Sequence, residues 1–124
     1  MSLLLDTHVV LWGLAAAPEL GDDMLDRLRH DPDIFLSSVT LWEITIKQRA
    51  GKLSGPSDLA ERVRDMGFQP LPITHDHAIA AGRLPDHHRD PFDRMLIAQA
   101  TVEGLTLATR DADIRRYDVE VLVV

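Results

Sequence analysis

Four acidic side chains lie where carboxylates could do chemistry: Asp6, Glu43, Asp93 and Asp111. Asp6 and Asp111 follow predicted strands, and the other two lie on or beside the apolar stripes of predicted helices. Carboxylates gathered in one place repel one another unless protons or a cation neutralise them. A cation held by such a group activates water and stabilises the charge that develops on a phosphoryl centre.

The composition narrows the choice of cation. The sequence has no cysteine, which excludes a thiol nucleophile, a disulfide scaffold and any cysteine-ligated zinc or iron–sulfur site. His75 and His77 point to different sides of a predicted helix, and we expect His87 and His88 to be solvated loop residues. Ligands that are all oxygen favour Mg²⁺ or Mn²⁺, so we predict a magnesium or manganese site.

Asp6 and Glu43 also have ordinary structural interpretations. Taken alone, Asp6 is best explained as the cap of a helix that starts near Thr7. Glu43 lies four residues before Lys47, in the favourable orientation for a helical ion pair. We expect the helix around Glu43 to be largely buried, where a lone carboxylate is costly unless it is paired or binds a metal. For Glu43 the sequence leaves both interpretations open.

The segment from Asp90 to Asp93 contains two acids with different expected roles. Asp90 precedes Pro91, the usual pattern of a helix cap followed by the first helical residue. Asp93 suits the helix dipole, but it also shares a face with Leu96 and Ile97, where an acid is less expected. We assign Asp90 to the cap and Asp93 to the functional site.

Asp111 follows the strand predicted over 105–108, after Thr109 and Arg110. Asp is common in turns, and this is the alternative explanation. If the strands before Asp6 and Asp111 are neighbours, the two carboxylates can face each other. Asp113 could substitute for Asp111 or assist it.

Short apolar strands alternate with helices along the chain. Strands are predicted over 3–5, 34–36, 70–73, 105–108 and 119–124, and helices over 7–16, 22–30, 39–50, 58–66, 75–84 and 92–103. This alternation predicts the α/β class, as a three-layer sandwich with a short central parallel sheet flanked by helices. The active site of such a sheet lies beyond the carboxyl ends of its strands, where Asp6 and Asp111 are expected.

The composition is that of an ordinary globular domain, with 124 residues, 45% of them apolar and 27% charged. We expect one domain over residues 1–124. The absence of a long apolar run and of a basic, apolar leader predicts a soluble cytoplasmic protein with no membrane partner. A net charge of −7 disfavours simple electrostatic binding to nucleic acid. A local basic rim could still hold RNA, formed by Arg83, Arg89, Arg94, Arg110, Arg115 and Arg116.

The order of these motifs resembles that of the PIN-domain ribonucleases, specifically the VapC-type toxins of bacterial toxin–antitoxin pairs. The resemblance covers essentially the whole chain and is carried by Asp6-Thr7-His8, Trp42-Glu43, residues 90–100 (DPFDRMLIAQA) and Thr109-Arg110-Asp111. It implies that Asp6, Glu43 and Asp93 are the core metal-binding acids and that Asp111 is a more variable fourth acid. It also implies a PIN-like fold and a Mg²⁺- or Mn²⁺-dependent endoribonuclease that hydrolyses RNA through a metal-activated water.

The same resemblance implies supporting residues and partners. Thr7 and Thr109 match hydroxyl positions that steady the carboxylates or a metal-bound water. Arg94 is implied to lie near the substrate or to form an ion pair with an acid. A cognate antitoxin and a homodimer are the implied protein partners. Apolar side chains on early helices are in keeping with such interfaces, namely Leu11, Trp12, Leu14 and Trp42.

Two alternatives compete with a nuclease. A phospho-receiver domain has a similar size and clustered acids, but it needs an acidic pair after its first strand and a lysine after a late strand. In this sequence Asp6 is single, and Lys47 and Lys52 are both mid-chain. A non-catalytic interaction module would not need four acids at strand ends and core-facing positions.

Overall fold

A parallel sheet of five strands runs through the middle of the computed structural model, which describes all of residues 1–124. The strands in chain order are β1 (Leu3–Leu5), β2 (Ile34–Ser37), β3 (Gln69–Leu71), β4 (Thr106–Thr109) and β5 (Val121–Val123). Their order across the sheet is β3-β2-β1-β4-β5, and each neighbouring pair is parallel. The predicted short parallel sheet is confirmed.

Six α-helices connect and cover the strands: α1 (Thr7–Leu14), α2 (Asp22–His30), α3 (Ser38–Arg49), α4 (Leu59–Arg64), α5 (His75–Arg83) and α6 (Pro91–Glu103). Short 3₁₀ turns occupy Pro18–Leu20 and Ala112–Arg116. No helix has the length and apolar character needed to cross a membrane.

Several helix and strand ends differ from the sequence prediction. Helix α1 ends at Leu14, and Ala16 has a φ of 50°, a left-handed conformation that cannot continue a helix. Helix α4 begins later and ends earlier than predicted, and the side chain of Asp58 accepts no capping hydrogen bond. Strand β5 begins at Val121 instead of residue 119.

The central strand β1 is buried on both faces. Leu3 and Leu5 pack in one apolar cluster with side chains of α1, α2 and α4, whereas Leu4 packs in a second cluster with side chains of α6. All three leucines are fully buried, and burial of each stabilises the fold by about 2 kcal/mol. One core on each side of the sheet confirms the three-layer sandwich.

Helix α3 is buried on one side only, so the prediction that it is largely buried is wrong. Val39 and Ile44 are buried in separate core clusters, one on each side of the sheet. The opposite side of the helix faces solvent, with 59% of Trp42 and 39% of Ile46 exposed. The helix therefore presents Glu43, only 4% exposed, to the interior and an aromatic surface to the outside.

The strand order creates a crevice at the carboxyl edge of the sheet. From β1 the chain proceeds to β2 and β3 on one side, and it reaches β4 and β5 on the other side only later. The segments that follow β1 and β4 therefore lead away from each other, and ligands of open α/β sheets bind in this kind of crevice.

The start of α6 is defined by Asp90, as predicted. Its Oδ1 accepts hydrogen bonds from the backbone N–H groups of Phe92 at 2.8 Å and Asp93 at 3.2 Å. Pro91 occupies the first helical position, and Gly104 ends the helix with a φ of 68°. The cap places Asp93 in the first turn of the helix.

Replacing Asp90 tests whether its role is to cap the helix. Asn accepts the same hydrogen bonds, so Asp90→Asn should change the free energy of unfolding by less than about 0.5 kcal/mol, whereas Asp90→Ala should cost about 1 kcal/mol. Both variants remove the same charge, so their difference isolates the cap. Urea unfolding provides the measurement, and equal stabilities of the two variants would contradict the assignment.

Candidate active site

The hydroxyl of Thr109 joins two of the acids at the carboxyl edge. Strands β1 and β4 pair with Leu5 opposite Ala108, so the residues that follow them lie side by side. Thr109 Oγ1 donates a hydrogen bond to Asp6 Oδ2 at 2.6 Å and accepts one from the backbone N–H of Asp111 at 3.0 Å. The expected proximity of Asp6 and Asp111 follows directly from this strand pairing.

Glu43 is held from both sides. Thr7 Oγ1 donates to its Oε1 at 2.6 Å, and Lys47 Nζ donates to its Oε2 at 2.5 Å. These contacts satisfy a carboxylate that would otherwise be costly to bury. The ion pair with Lys47, one of the two alternatives left by the sequence, is present, and the metal-binding role of Glu43 stays a prediction.

Lys47 is therefore part of the acidic site. Its hydrogen bond to Glu43, with smaller contributions from the charges of Asp90 and Asp93, raises the pKa of its ammonium group. It is a cation fixed among carboxylates, and sequence reasoning treated it only as a structural partner of Glu43.

Asp93 is the acid on which the charges of the other three act. Burial, together with the charges of Asp6, Asp90, Glu43 and Asp111, raises the pKa of its carboxyl group to about 7. Each member of the predicted set thus acts electrostatically on Asp93, although the four residues come from four separate segments. Asp90 is the cap, as predicted, and the assignment of Asp93 as the functional acid stays a prediction.

The donor set fits a hard divalent cation by chemistry and by charge. Its oxygens belong to carboxylates, the ligand type that Mg²⁺ and Mn²⁺ prefer, and bringing positive charge to Asp93 would relieve the repulsion that raises its pKa. No three acidic or histidine side chains of the protein lie close enough together to form a complete coordination site as they stand. The residues that would hold the ion are Asp6, Glu43, Asp93 and Asp111.

Asp113 lies outside this group. Its backbone N–H donates to Asp111 Oδ1 at 2.9 Å, which makes Asp111 the cap of the following 3₁₀ turn, and the Asp113 side chain is exposed. The geometry favours Asp111 as the fourth acid and leaves Asp113 as a residue of the turn.

His88 is a site residue that sequence reasoning missed. We expected a solvated loop histidine, but its side chain is only 21% exposed and its Nε2 lies 3.2 Å from Asp111 Oδ2, within ion-pair distance though not aligned as a hydrogen bond. Its ring stacks on Tyr117, and its backbone N–H donates to the Tyr117 hydroxyl at 2.7 Å. Only the tertiary fold brings Tyr117 to this loop, so no local pattern could have indicated the contact.

A comparison with protein families matches a PIN-domain model to residues 3–120. The chain belongs to the PIN-domain family. Among curated proteins, this PIN domain is 29% identical to ribonuclease VapC22 of Mycobacterium tuberculosis, over 94% of this chain and 92% of that one. The family assignment removes the phospho-receiver alternative.

The PIN fold is shared with solved structures. The structure of VapBC2 from Rickettsia felis bound to a promoter DNA fragment has a TM-score of 0.76 at 16% identity. The match covers 99% of this chain and 98% of that one. FitAcB from Neisseria gonorrhoeae has a TM-score of 0.69 at 25% identity, covering 97% and 96%. These likenesses establish that the three-layer architecture extends over nearly the whole chain.

Arg94 holds a loop instead of facing the site. Its guanidinium group donates to the backbone carbonyls of Ala81, Leu84 and Pro85 at 2.9 to 3.0 Å and to that of His88 at 3.2 Å. Both terminal nitrogens of the guanidinium group are thus engaged with backbone carbonyls, and a place near the substrate stays a prediction. The expected ion pair forms only with the exposed Asp86, whose Oδ1 lies 3.7 Å from Nη1 of Arg94. The role of Arg94 in this PIN domain is to fix the segment that carries His88 and Asp90.

The charge of Asp93 should make the metal-free PIN domain less stable as pH rises. The folded state binds the Asp93 proton more tightly than the unfolded chain, since the pKa rises from 3.8 to about 7, so stability should fall between about pH 4 and about pH 7. Asp93→Asn cannot ionise and should lose less stability over this interval. Thermal unfolding of both proteins in EDTA across that range provides the measurement.

The same thermal unfolding assay tests whether the acids bind a divalent metal ion. Above pH 7, added Mg²⁺ should raise the melting temperature of the unmodified protein, because binding to the folded state stabilises it by mass action. Asp93→Asn should respond much less, and Asp113→Asn, an exposed acid of the neighbouring turn, should respond like the unmodified protein. Parallel pH curves together with equal Mg²⁺ responses would contradict the assignment of Asp93.

Proposed function

We propose that this PIN domain is a metal-dependent endoribonuclease toxin whose activity a cognate antitoxin suppresses. The observation that carries the proposal is the convergence of Asp6, Glu43 and Asp111 on Asp93, whose pKa is raised to about 7 by burial and by their charges. The 29% identity to ribonuclease VapC22 and the fold shared with VapBC2 of Rickettsia felis support it. Its site of action would be the cytoplasm, where RNA substrates are found.

The chain holds its carboxylates in place before any substrate binds. Thr109 fixes Asp6, while Thr7 and Lys47 fix Glu43. When bound by these acids, Mg²⁺ or Mn²⁺ would supply an activated water and neutralise charge on the phosphodiester. Groups held in this way need little reorganisation during the reaction, which is the main source of electrostatic catalysis.

Positive groups at the edge explain how an acidic chain could hold RNA. Lys47 lies among the acids, His88 lies beside Asp111, and Arg110 follows β4 at the same edge. Contacts to phosphate oxygens position a nucleic acid without reading its sequence. Of the arginine rim expected from the sequence, Arg94 is engaged with backbone carbonyls.

RNA cleavage is the direct test of the proposed function. Purified protein freed of any antitoxin should cut single-stranded RNA with Mg²⁺ or Mn²⁺, stop in EDTA, and leave 5′-phosphate and 3′-hydroxyl ends because water is the nucleophile. Asp93→Asn should lower the rate by at least about 100-fold. Asp111→Asn should also lower it, and Asp113→Asn should not. Cyclic 2′,3′-phosphate ends or full activity in EDTA would refute the mechanism.

An apolar groove beside α1 suits an antitoxin segment. The groove has a volume of about 400 Å³ and is lined by Leu11, Leu14, Leu53 and Leu59 among others. Helix α1 begins at Thr7 in the acidic site and carries Leu11 and Leu14 along its length. A helical or extended segment lying along α1 would therefore reach the acids, where a basic side chain could compete with the metal.

We also propose that the protein forms a homodimer through the exposed face of α3. Trp42 packs edge-on against Phe92 with ring centroids 5.5 Å apart, yet 59% of Trp42 remains exposed. Large exposed aromatic surface of this kind is typical of protein interfaces.

Sedimentation and activity together test the two partners. The protein alone should sediment as a dimer at tens of micromolar, and Trp42→Glu should shift it to a monomer. Co-expression with the product of a short neighbouring reading frame should give a larger complex without RNA cleavage, and Leu14→Glu should weaken that complex. A strict monomer would refute the dimer, and undiminished cleavage with the neighbour bound would refute inhibition.

A further inference from the structure

A second feature at the carboxyl edge is a cavity of about 320 Å³ lined by Asp6, His8, Trp12, Arg110 and Asp111. Two of its walls are acids of the candidate site, so whatever occupies it lies beside the reacting centre. His8 and Trp12 take no part in the proposed hydrolysis, and Arg110 enters it only as a contact to RNA phosphate. The volume is near the lower end of the roughly 300–1,000 Å³ typical of small-molecule sites.

Two aromatic rings of the cavity are presented by the first turns of α1. His8 and Trp12 are four residues apart and therefore share one face of the helix. Their ring centroids are 5.9 Å apart with an angle of 40° between the planes. His8 is exposed, whereas Trp12 is half-buried and also packs against the core beneath α1.

Arg110 is the third of these lining residues, and its own contacts fix its position. Its guanidinium carbon lies 4.7 Å from the centre of the Trp12 ring, a cation–π contact. Nη2 of Arg110 donates to the Glu19 carbonyl at 2.6 Å, and Nε donates to the carbonyl of Val124. The indole and the guanidinium are therefore fixed relative to each other and to the acids.

We propose that this cavity binds one unpaired base of the RNA next to the scissile phosphate. The exposed His8 ring and the Arg110 guanidinium that lies over the Trp12 ring offer flat surfaces for stacking, which every nucleobase can provide. The carboxylates of Asp6 and Asp111 disfavour a phosphate inside the cavity. Arg110 at the rim is placed to meet the phosphate outside it. This inference rests on the proposed ribonuclease function and assigns to Trp12 a positioning role in addition to its packing against the core.

The two tryptophans allow a binding test that does not depend on cleavage. Trp42→Phe leaves Trp12 as the sole indole, and Trp12→Phe leaves Trp42. Adenosine 5′-monophosphate should quench the fluorescence of the Trp42→Phe variant, with and without Mg²⁺, and ribose 5-phosphate, which lacks the base, should not. The Trp12→Phe variant should show no base-dependent quenching. Equal responses to the two ligands would overturn the proposal.

A cleavage experiment places the pocket relative to the substrate. In a series of RNAs with one abasic residue each, loss of the base at one position next to the cut should raise KM with little change in kcat. Trp12→Leu keeps the apolar bulk beneath the ring and should raise KM for intact RNA by about 5- to 100-fold. It should have little further effect on the RNA that is abasic at that position. His8→Ala, at an exposed residue, should show the same pattern to a smaller extent.

The outcomes separate this inference from the function on which it rests. If Trp12→Leu raises KM equally for intact and abasic RNA, its role is structural and the pocket is refuted, while the ribonuclease activity stands. If the base quenches Trp12 but no RNA is cut under any metal condition, the proposed function fails and the base-binding cavity stands.

Discussion

The carboxylates gathered at the carboxyl edge of this sheet are partly buried and repel one another. Burial of Asp93 at the start of α6, together with the charges of Asp6, Asp90, Glu43 and Asp111, raises its pKa to about 7. Folding brings these acids together although their mutual repulsion opposes it. The apolar clusters on both faces of the sheet supply the favourable free energy that makes this arrangement possible.

The neighbouring side chains reduce the free-energy cost of bringing the acids together without neutralising the site. The hydroxyls of Thr7 and Thr109 donate to Glu43 and Asp6, and Lys47 supplies one positive charge to Glu43. Asp93 forms no ion pair, and burial and the neighbouring carboxylates raise its pKa. An uncompensated carboxylate next to compensated ones is the arrangement that a divalent cation would complete.

The loop before α6 is held in one position by hydrogen bonds. Arg94 donates to four backbone carbonyls of residues 81–88, and the Tyr117 hydroxyl both accepts from the His88 N–H and donates to the Pro85 carbonyl at 2.9 Å. These bonds place His88 beside Asp111 and set the direction from which α6 presents Asp93. Arg94 therefore acts at a distance from the acids, by fixing the loop that leads to them.

The sequence by itself determined the order and type of the elements and singled out the candidate acids. Strand-length apolar runs and helix caps such as Asp90 are local signals, and Asp93 could be separated from Asp90 because only Asp93 lies on an apolar helical face. The tertiary structure decided the rest: the pairing of Glu43 with both Thr7 and Lys47, the use of Arg94 as a loop clamp, the placing of His88 beside Asp111, and the joining of Trp12 and Arg110 at one cavity. Apart from the local pair of Glu43 and Lys47, each of these contacts joins segments that only strand order and helix packing bring together. Such contacts therefore cannot be predicted from the type and spacing of side chains along the chain.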